Sequence, residues 1–138
     1  MKHFAIPALV ITLASSAAIA CPDFSGSYQD TNHWTNLVVT QDGCASVTFA
    51  TTPVTGGATT RRTFVADGQT REGERDQARV THRWEGNRLA YVIEGSYWRR
   101  EGSLSLASPD LLRDDSEYRS SAGDNNRVMR DEWVRAFD

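Results

Sequence analysis

The residues of this sequence that could do chemistry form no enzyme signature. His33 and His82 follow the first twenty residues, and neither has a second histidine at the spacing of a metal site. There is no Gly-x-Ser-x-Gly elbow, glycine-rich phosphate loop or His-Glu-x-x-His motif. Carboxylates cluster on the late strands, where they would form either a catalytic dyad or, as is usual on a charged β-protein, a solvated surface: Asp114, Asp115, Glu117, Asp131 and Glu132. The sequence predicts no catalytic residues, metal site or cofactor, and a protein that is not an enzyme.

Polar side chains recur instead on strand faces that alternation assigns to the interior. Because side chains alternate along a strand, "ARVTHRWE" places on one face Ala78, Val80, His82 and Trp84. In "LLRDDSEY" a second face holds Leu112, Asp114, Ser116 and Tyr118. An apolar cavity with a few polar groups is typical of a small-molecule site. We therefore predict the ligand-binding residues His82, Trp84, Tyr91, Asp114 and Tyr118, with Val80, Ile93 and Leu104 completing the lining.

The same residues also allow interpretations without a ligand. His82 and Asp114 would satisfy each other inside the barrel, or a β-bulge would turn Asp114 outward. Tryptophans in a chain of this size are mostly core, which is the expectation for Trp34, Trp84 and Trp133. Trp98, next to a turn in "SYWRRE", is instead expected to be exposed as an anchor for a protein partner.

The elements that must position these residues are predicted to be β-strands throughout. "LVVTQDGCASVTF" predicts a hairpin turning at Asp42-Gly43, and "RTFVADGQTRE" predicts another at Asp67-Gly68. The last segment, "NRVMRDEWVRA", is predicted as a strand, with a helix as the alternative. Sequential hairpins favour a closed sheet, which removes exposed edges. The expected fold is all-β, a single antiparallel up-and-down β-barrel of about 8-10 short strands, with a sandwich as the alternative.

The N-terminal residues and the net charge limit the possible compartment and the possible partners. Residues 1–20 have the anatomy of a secretory signal peptide, with Lys2, an apolar run and Ala18-x-Ala20 before the cleavage point. Residues 21–138 would then form one β-barrel domain in a secreted protein, periplasmic or extracellular, with no transmembrane span. That part carries 14 Arg against 18 Asp and Glu, a net charge of −4. An acidic balance argues against nucleic acid as a partner.

The two cysteines, Cys21 and Cys44, allow two interpretations. In an exported chain a pair of cysteines is first interpreted as a disulfide, here one that would hold down the new N-terminus. Alternatively, a cysteine directly after a leader is the site of lipid attachment in bacterial lipoproteins. The residues Ala18-Ile19-Ala20 match such a site in part. Lipidation would leave Cys44 as an unpaired thiol, so the disulfide is the preferred prediction.

Two stretches resemble the calycin barrels, the group that holds lipocalins, fatty-acid-binding proteins and avidins. "DFSGSY" followed by "LVVTQDGCASVTF" is similar to their first strands, with Tyr28 where they have Trp, and "WEGNRLAYVI" is similar to their middle hairpins. The resemblance implies that Arg135, in "EWVRA", packs over Tyr28 to close the barrel. The paired tryptophans of the avidins are missing, so their biotin site is not implied.

These observations lead to three hypotheses about function. The preferred one is a non-enzymatic barrel that binds a small apolar or amphipathic ligand in its lumen, fixed by His82 or Asp114. The second is an interaction or inhibitor module that contacts an exported protein through "ATTPVTGGATT" and "GSYWRREG". The third is an envelope component anchored by lipid on Cys21. Oligomeric state follows from none of them.

Overall fold

A computed structural model describes residues 21–73 and 78–136 and shows an all-β chain. The predicted signal segment, residues 1–20, lies outside the described residues. The strands are β1 (Gly26–Asp30), β2 (Thr35–Asp42), β3 (Ser46–Pro53), β4 (Thr60–Val65), β5 (Arg71–Glu72), β6 (Arg79–Glu85), β7 (Arg88–Glu94), β8 (Trp98–Ser108), β9 (Leu111–Ser120) and β10 (Arg127–Arg135). Within the described ranges we find no helix long and apolar enough to cross a membrane.

The strands form one antiparallel sheet in sequential order, as the recurring turns predict. Its order is β4-β3-β2-β1-β10-β9-β8-β7-β6-β5, so β1 pairs with both β2 and β10 and joins the two ends of the chain. The sheet is strongly curled into a half-barrel. The up-and-down prediction is confirmed, and β10 shows that the last segment is a strand rather than a helix.

The predicted hairpin at Asp67-Gly68 is wrong. No ladder joins β4 to β5. Instead Asp67 forms an isolated bridge with Arg83, and the Gly68 N–H donates to the His82 carbonyl at 2.9 Å. The Asp67 carboxylate accepts hydrogen bonds from the Gln69 N–H and from the Arg71 side chain, which tightens the turn. The chain after β4 therefore pairs with β6.

Strand direction gives the half-barrel two different ends. Strands alternate up and down, so the connection between β2 and β3, with Cys44, lies at the same end as the N-terminal Cys21; we call this the disulfide end. The connections β1–β2, β3–β4, β7–β8 and β9–β10 lie at the opposite end, the loop end. Any residue's position along a strand can therefore be described relative to these ends.

The apolar core fills the concave side near the disulfide end. Phe24 is fully buried there, and the Tyr28 hydroxyl donates to its carbonyl at 2.8 Å. The buried residues of this cluster are Phe24, Tyr28, Leu37, Val39, Val47, Leu89, Leu104 and Leu112. Burying each large apolar side chain of this cluster stabilises the half-barrel by roughly 1.5–3 kcal/mol. Further towards the loop end the concave side becomes polar.

Candidate functional site

A row of directly paired residues crosses the concave face where its character changes from apolar to polar. Directly opposite residues of antiparallel strands share a face. The row runs through His82, Tyr91, Gly102, Ser116 and Met129. The next row towards the disulfide end contains Asp114 and Asp131, which are directly opposite each other. The register therefore brings His82, Tyr91 and Asp114 of the predicted site to one region.

A hydrogen-bonded cluster forms around the Asp114 carboxylate. The Tyr91 hydroxyl donates to Asp114 Oδ1 at 2.6 Å, and Arg100 Nη2 lies 3.6 Å from Asp114 Oδ2. Arg100 also donates from Nε to Ser116 Oγ at 3.1 Å, and its guanidinium lies 5.8 Å from the centroid of the Tyr91 ring. The cluster therefore links four polar groups from β7, β8 and β9.

Gly102 makes room for this cluster. A Cβ at this position would lie 2.5 Å from the Tyr91 hydroxyl and 2.6 Å from the Asp115 carbonyl oxygen. Any larger residue would therefore displace the Tyr91 ring from Asp114. Neither Arg100 nor Gly102 was selected from the sequence. The signal was present, since the alternation in "RREGSLSL" places Arg100 and Gly102 on the same face as the buried Leu104.

Burial shifts the pKa values of the Asp114 carboxyl and the Tyr91 hydroxyl. Desolvation raises the pKa of Asp114 above its ordinary range, although the Tyr91 hydrogen bond and the Arg100 charge act in the other direction. The pKa of Tyr91 is raised by burial first and by the Asp114 charge second. At neutral pH Tyr91 is therefore a neutral donor, and burial disfavours the charged form of the Asp114 carboxyl.

His82 is a buried polar residue of the region, with 7% of its surface exposed. Its ring stacks on Phe64 at 4.6 Å between centroids and lies 5.9 Å from the Tyr91 ring. No described residue forms a hydrogen bond with its ring nitrogens. Burial lowers the pKa of His82 to about 4, with a smaller contribution from the Arg71 charge. The expected hydrogen bond between His82 and Asp114 is absent, because Asp114 is bound by Tyr91 and Arg100 instead.

The predicted bulge at Asp114 is also contradicted. Asp114 lies on the concave face, and the register shift in its neighbourhood falls between Leu106 and Ser108 of β8. A bulge therefore does not turn the carboxylate outward.

Trp84 and Tyr118, the remaining predicted ligand residues, lie on either side of the polar region. Trp84 packs on Phe24 at 5.5 Å between centroids and donates from Nε1 to the Cys44 carbonyl at 2.8 Å, near the disulfide end. Tyr118 lies towards the loop end, stacked on Trp98 at 5.9 Å with the Arg127 guanidinium 5.2 Å from its ring centroid. The fold therefore does not bring Trp84 and Tyr118 together with His82 into a single site.

Solvent reaches part of the concave face. Asp131 shares this face with Asp114 yet is exposed, and it makes no ion pair with another described residue. Arg62, opposite Phe49 in the register, is exposed as well. These exposed side chains show that the concave side of β4 and β10 is not filled by protein.

Two depressions lie elsewhere on the surface. One, of about 490 Å³, is lined mainly by convex-face residues of β6, β7 and β8 such as Arg83, Val92 and Glu101. A second, of about 310 Å³, lies at the β7–β8 turn around Gly95 and Arg119. Of the predicted ligand residues, Tyr91 lines the first depression, whereas neither depression is lined by His82, Trp84, Asp114 or Tyr118. The predicted lining residue Leu104 is buried in the core.

The predicted closure pair is in contact. Arg135 is directly opposite Tyr28, its guanidinium lies 4.9 Å from the ring centroid, and Nη2 donates to the Tyr28 hydroxyl at 2.9 Å. Arg135 Nη1 also donates to the Ser25 carbonyl at 2.9 Å. The pair thus fastens the first strand and the preceding segment to the last strand.

Cys21 and Cys44 form a disulfide, as predicted. A sulfur atom in a disulfide is not available for a thioether to lipid, which argues against the lipid-anchored hypothesis. Within the described ranges there is no group of three or more His, Cys, Asp or Glu that could hold a metal ion.

Two expectations about tryptophan are wrong. Trp98 is half-buried against Tyr118, and its neighbour Tyr97 is the exposed aromatic residue. Trp34 is not a core residue but is exposed in the β1–β2 connection. Trp98 is the first residue of β8 and lies opposite Ser120 on the concave face. Tyr97 precedes the strand.

No protein-family model matches the chain, and no curated protein matches it in sequence.

Proposed function

We propose that this protein is an exported, non-enzymatic binding protein that holds a small amphipathic ligand on the concave face of its half-barrel. The observation that carries the proposal is the imidazole of His82, which is buried on that face without a hydrogen-bond partner among the described residues. A buried polar group without a partner costs about 1–3 kcal/mol. The His82 ring nitrogens are not enclosed as Arg113 Nε is, so water or a ligand can reach them and supply the hydrogen bond.

The surroundings of His82 suit an amphipathic molecule. Phe64 and Tyr91 contact the ring from two sides and offer apolar surface. Arg100 and Asp114, linked through Tyr91, offer charge next to it. The exposed Asp131 supports an entrance from solvent on the side of β10. A mostly apolar concavity with a few oriented polar groups is the usual composition of a ligand site.

The fold assignment and the compartment form part of the same proposal. A first strand that pairs with the last, with Arg135 over Tyr28, supports a calycin-like barrel. The Cys21–Cys44 disulfide supports an oxidising compartment and therefore export, with residues 1–20 as the signal peptide. Fold by itself assigns no ligand, so the function depends on the His82 region.

The test uses 1-anilinonaphthalene-8-sulfonate, an amphipathic probe whose fluorescence rises in apolar surroundings. We expect the native protein to bind one probe molecule, with the neutral His82 ring donating to the sulfonate. His82→Leu should weaken binding about tenfold, the value of one hydrogen bond. The matched control is Thr81→Val, which changes the adjacent residue on the convex face and should leave the affinity unchanged.

The outcomes are distinguishable. Equal affinity of the native protein and His82→Leu, or no saturable binding by a folded native protein, would overturn the proposal. Native mass spectrometry of protein purified from its own source provides a second readout: a co-purifying small molecule, lost in His82→Leu, supports it.

A further inference from the structure

The sheet has two edges, and they differ in length. At one edge, β5 has two residues, and a very short edge strand is a common way to limit pairing with other chains. At the other edge, β4 has six residues, Thr60–Val65, and it pairs with β3 without a register shift. It contains no proline or glycine. β4 is therefore a regular edge strand with one free side.

The backbone groups on the free side of β4 can be assigned from one hydrogen bond. The Ala66 N–H donates to the Ala45 carbonyl at 2.9 Å, just beyond the β3–β4 ladder. Hydrogen-bonded and non-hydrogen-bonded pairs alternate along antiparallel strands, so Phe64 and every second residue before it bond to β3. The N–H and C=O groups of Arg61 and Thr63 therefore point to the free side, where no described strand pairs with them.

The chain that follows β4 does not cover this free side, because it runs along β6. Asp67 bridges to Arg83, the Gly68 N–H donates to the His82 carbonyl, and β5 pairs with β6. Residues 60–63 are all exposed, as are residues 67–72 on the other side of the gap between β4 and β5. An extended chain can therefore reach the free side of β4 from solvent.

The β3–β4 hairpin carries only positive charge. Arg61 and Arg62 are the only charged residues between positions 43 and 66. Arg62 shares the concave face with Phe64, and Arg61 lies on the convex face with Thr63. Both arginines are exposed, and neither makes an ion pair or a side-chain hydrogen bond with a described residue. Each face of the β4 edge thus carries one unpaired positive charge.

The segment across the gap carries both signs of charge. Asp67 binds Arg71 at 2.5 Å, and Glu72 is directly opposite Arg79 in the β5–β6 register. Its other charged residues, outside the described ranges, are Glu74, Arg75 and Asp76. Residues 43–79 together contain five arginines and four acids, so the acids around the gap do not outnumber the arginines. The described backbone of this segment pairs with β6 and leaves the ladder positions of β4 open.

We propose that the free side of β4 binds an extended acidic segment of a partner protein as an added strand. Main-chain hydrogen bonds to Arg61 and Thr63 would provide affinity, as in other cases of strand addition. Acids opposite Arg61 and Arg62 would provide specificity, because opposite charges on neighbouring strands attract and like charges repel. A neutral strand would leave both arginines unpaired.

The same charges disfavour a second copy of this chain as the partner. Two β4 strands paired with each other would bring four arginines together without an acid between them. The inference concerns the edge of the sheet and is independent of the ligand proposed for the concave face.

The experiment measures the binding of a fluorescein-labelled peptide, Thr-Val-Glu-Glu-Val-Thr-Val, to the disulfide-bonded protein by fluorescence polarisation. The control ligand is the same peptide with both Glu residues replaced by Gln. We expect the acidic peptide to bind about fivefold more tightly, and we expect the difference to shrink as salt is added. Arg61→Gln with Arg62→Gln should remove the difference between the two peptides.

Thr63→Pro tests the main-chain ladder. Proline removes the outward N–H of this position and takes no bond from the β3–β4 ladder, so the affinity for the acidic peptide should fall about tenfold. Thr63→Val is the matched control, because it loses the same 2.9 Å hydroxyl contact with Thr48 and keeps the N–H. This variant should bind the peptide as the native protein does. Circular dichroism checks that both variants fold.

Amide hydrogen exchange of the native protein provides a readout that needs no variant. The acidic peptide should slow exchange at Arg61 and Thr63, whereas the Phe64 amide is already bonded to β3. Equal affinity for the two peptides, no saturable binding of either, or native affinity in a folded Thr63→Pro variant would each overturn the proposal. A peptide-free dimer that Thr63→Pro abolishes would overturn it in favour of a second copy.

Discussion

Arg135 covers the ring of Tyr28 and bonds to its hydroxyl, with the guanidinium carbon 4.9 Å from the ring centroid and Nη2 2.9 Å from the oxygen. The same hydroxyl donates to the Phe24 carbonyl, so one chain of contacts runs from the last strand to the N-terminal segment. Gly26 also depends on this arrangement, because a Cβ at its position would collide with Arg135 Nη1. The joint between the two ends of the chain is therefore a structural determinant of the half-barrel.

Removing the guanidinium should weaken this joint. We expect Arg135→Met, which keeps the apolar stem, to lower the free energy of unfolding by about 2–3 kcal/mol, since charged hydrogen bonds and a cation–π contact are both lost. Arg130→Met, which breaks an exposed ion pair with Asp115, is the control and should cost under about 0.5 kcal/mol. Urea unfolding measures both. Equal effects of the two changes would show that Arg135 is only a surface residue.

His82 should make stability depend on pH in the acid range. Its pKa is about 4 in the folded protein and about 6.5 in an unfolded chain, so below pH 6.5 the unfolded state binds a proton that the native state does not. The free energy of unfolding should therefore fall by about 3 kcal/mol between pH 6.5 and pH 4 through this group.

His82→Leu isolates this contribution. Asp114, whose pKa is raised, acts in the opposite direction as pH falls, but it is present in both proteins. The difference between the two stability profiles should therefore belong to His82. Parallel profiles between pH 6.5 and pH 4 would contradict a neutral buried imidazole.

Gly102→Ala should displace the Tyr91 ring from Asp114. The added methyl group would overlap the Tyr91 hydroxyl, and overpacking of this kind typically costs about 1–3 kcal/mol. The pKa of Tyr91 should move down towards its ordinary value, because its burial and its contact with Asp114 would both be reduced. An absorbance titration of tyrosine measures the pKa. Ser103→Ala, on the opposite face, is the control, and an unchanged Tyr91 titration in Gly102→Ala would contradict the prediction.

The disulfide should contribute substantially to stability. Replacing Cys21 and Cys44 together by serine should lower the free energy of unfolding by about 3 kcal/mol, because the bond closes a loop between residues 23 apart. Calorimetry of the two proteins measures the difference. The mass of the purified protein provides the matching check: an acyl-sized addition on Cys21 instead of the loss of two hydrogens would contradict the disulfide.

The sequence predicted the positions that local rules control. Alternation along "VTHRWE" and "LLRDDSEY" placed His82 and Asp114 on the concave face correctly, because side-chain direction in a strand depends only on parity. It did not show which groups would pair. Asp114 meets Tyr91 and Arg100 through the register of β7, β8 and β9, and register depends on all three strands together.

The sequence by itself determined the all-β class and the sequential strand order, since turn residues and β-branched runs act locally. The disulfide followed from the pair of cysteines, and the Tyr28–Arg135 contact was expected only from the resemblance to a known barrel family. Tertiary structure alone decided that β4 and β5 do not pair with each other, that His82 stacks on Phe64 without a hydrogen bond to a described residue, and that Trp34 and Tyr97 lie at the same end. These outcomes depend on the curl of the sheet and on competition among distant partners, which no short stretch of sequence encodes.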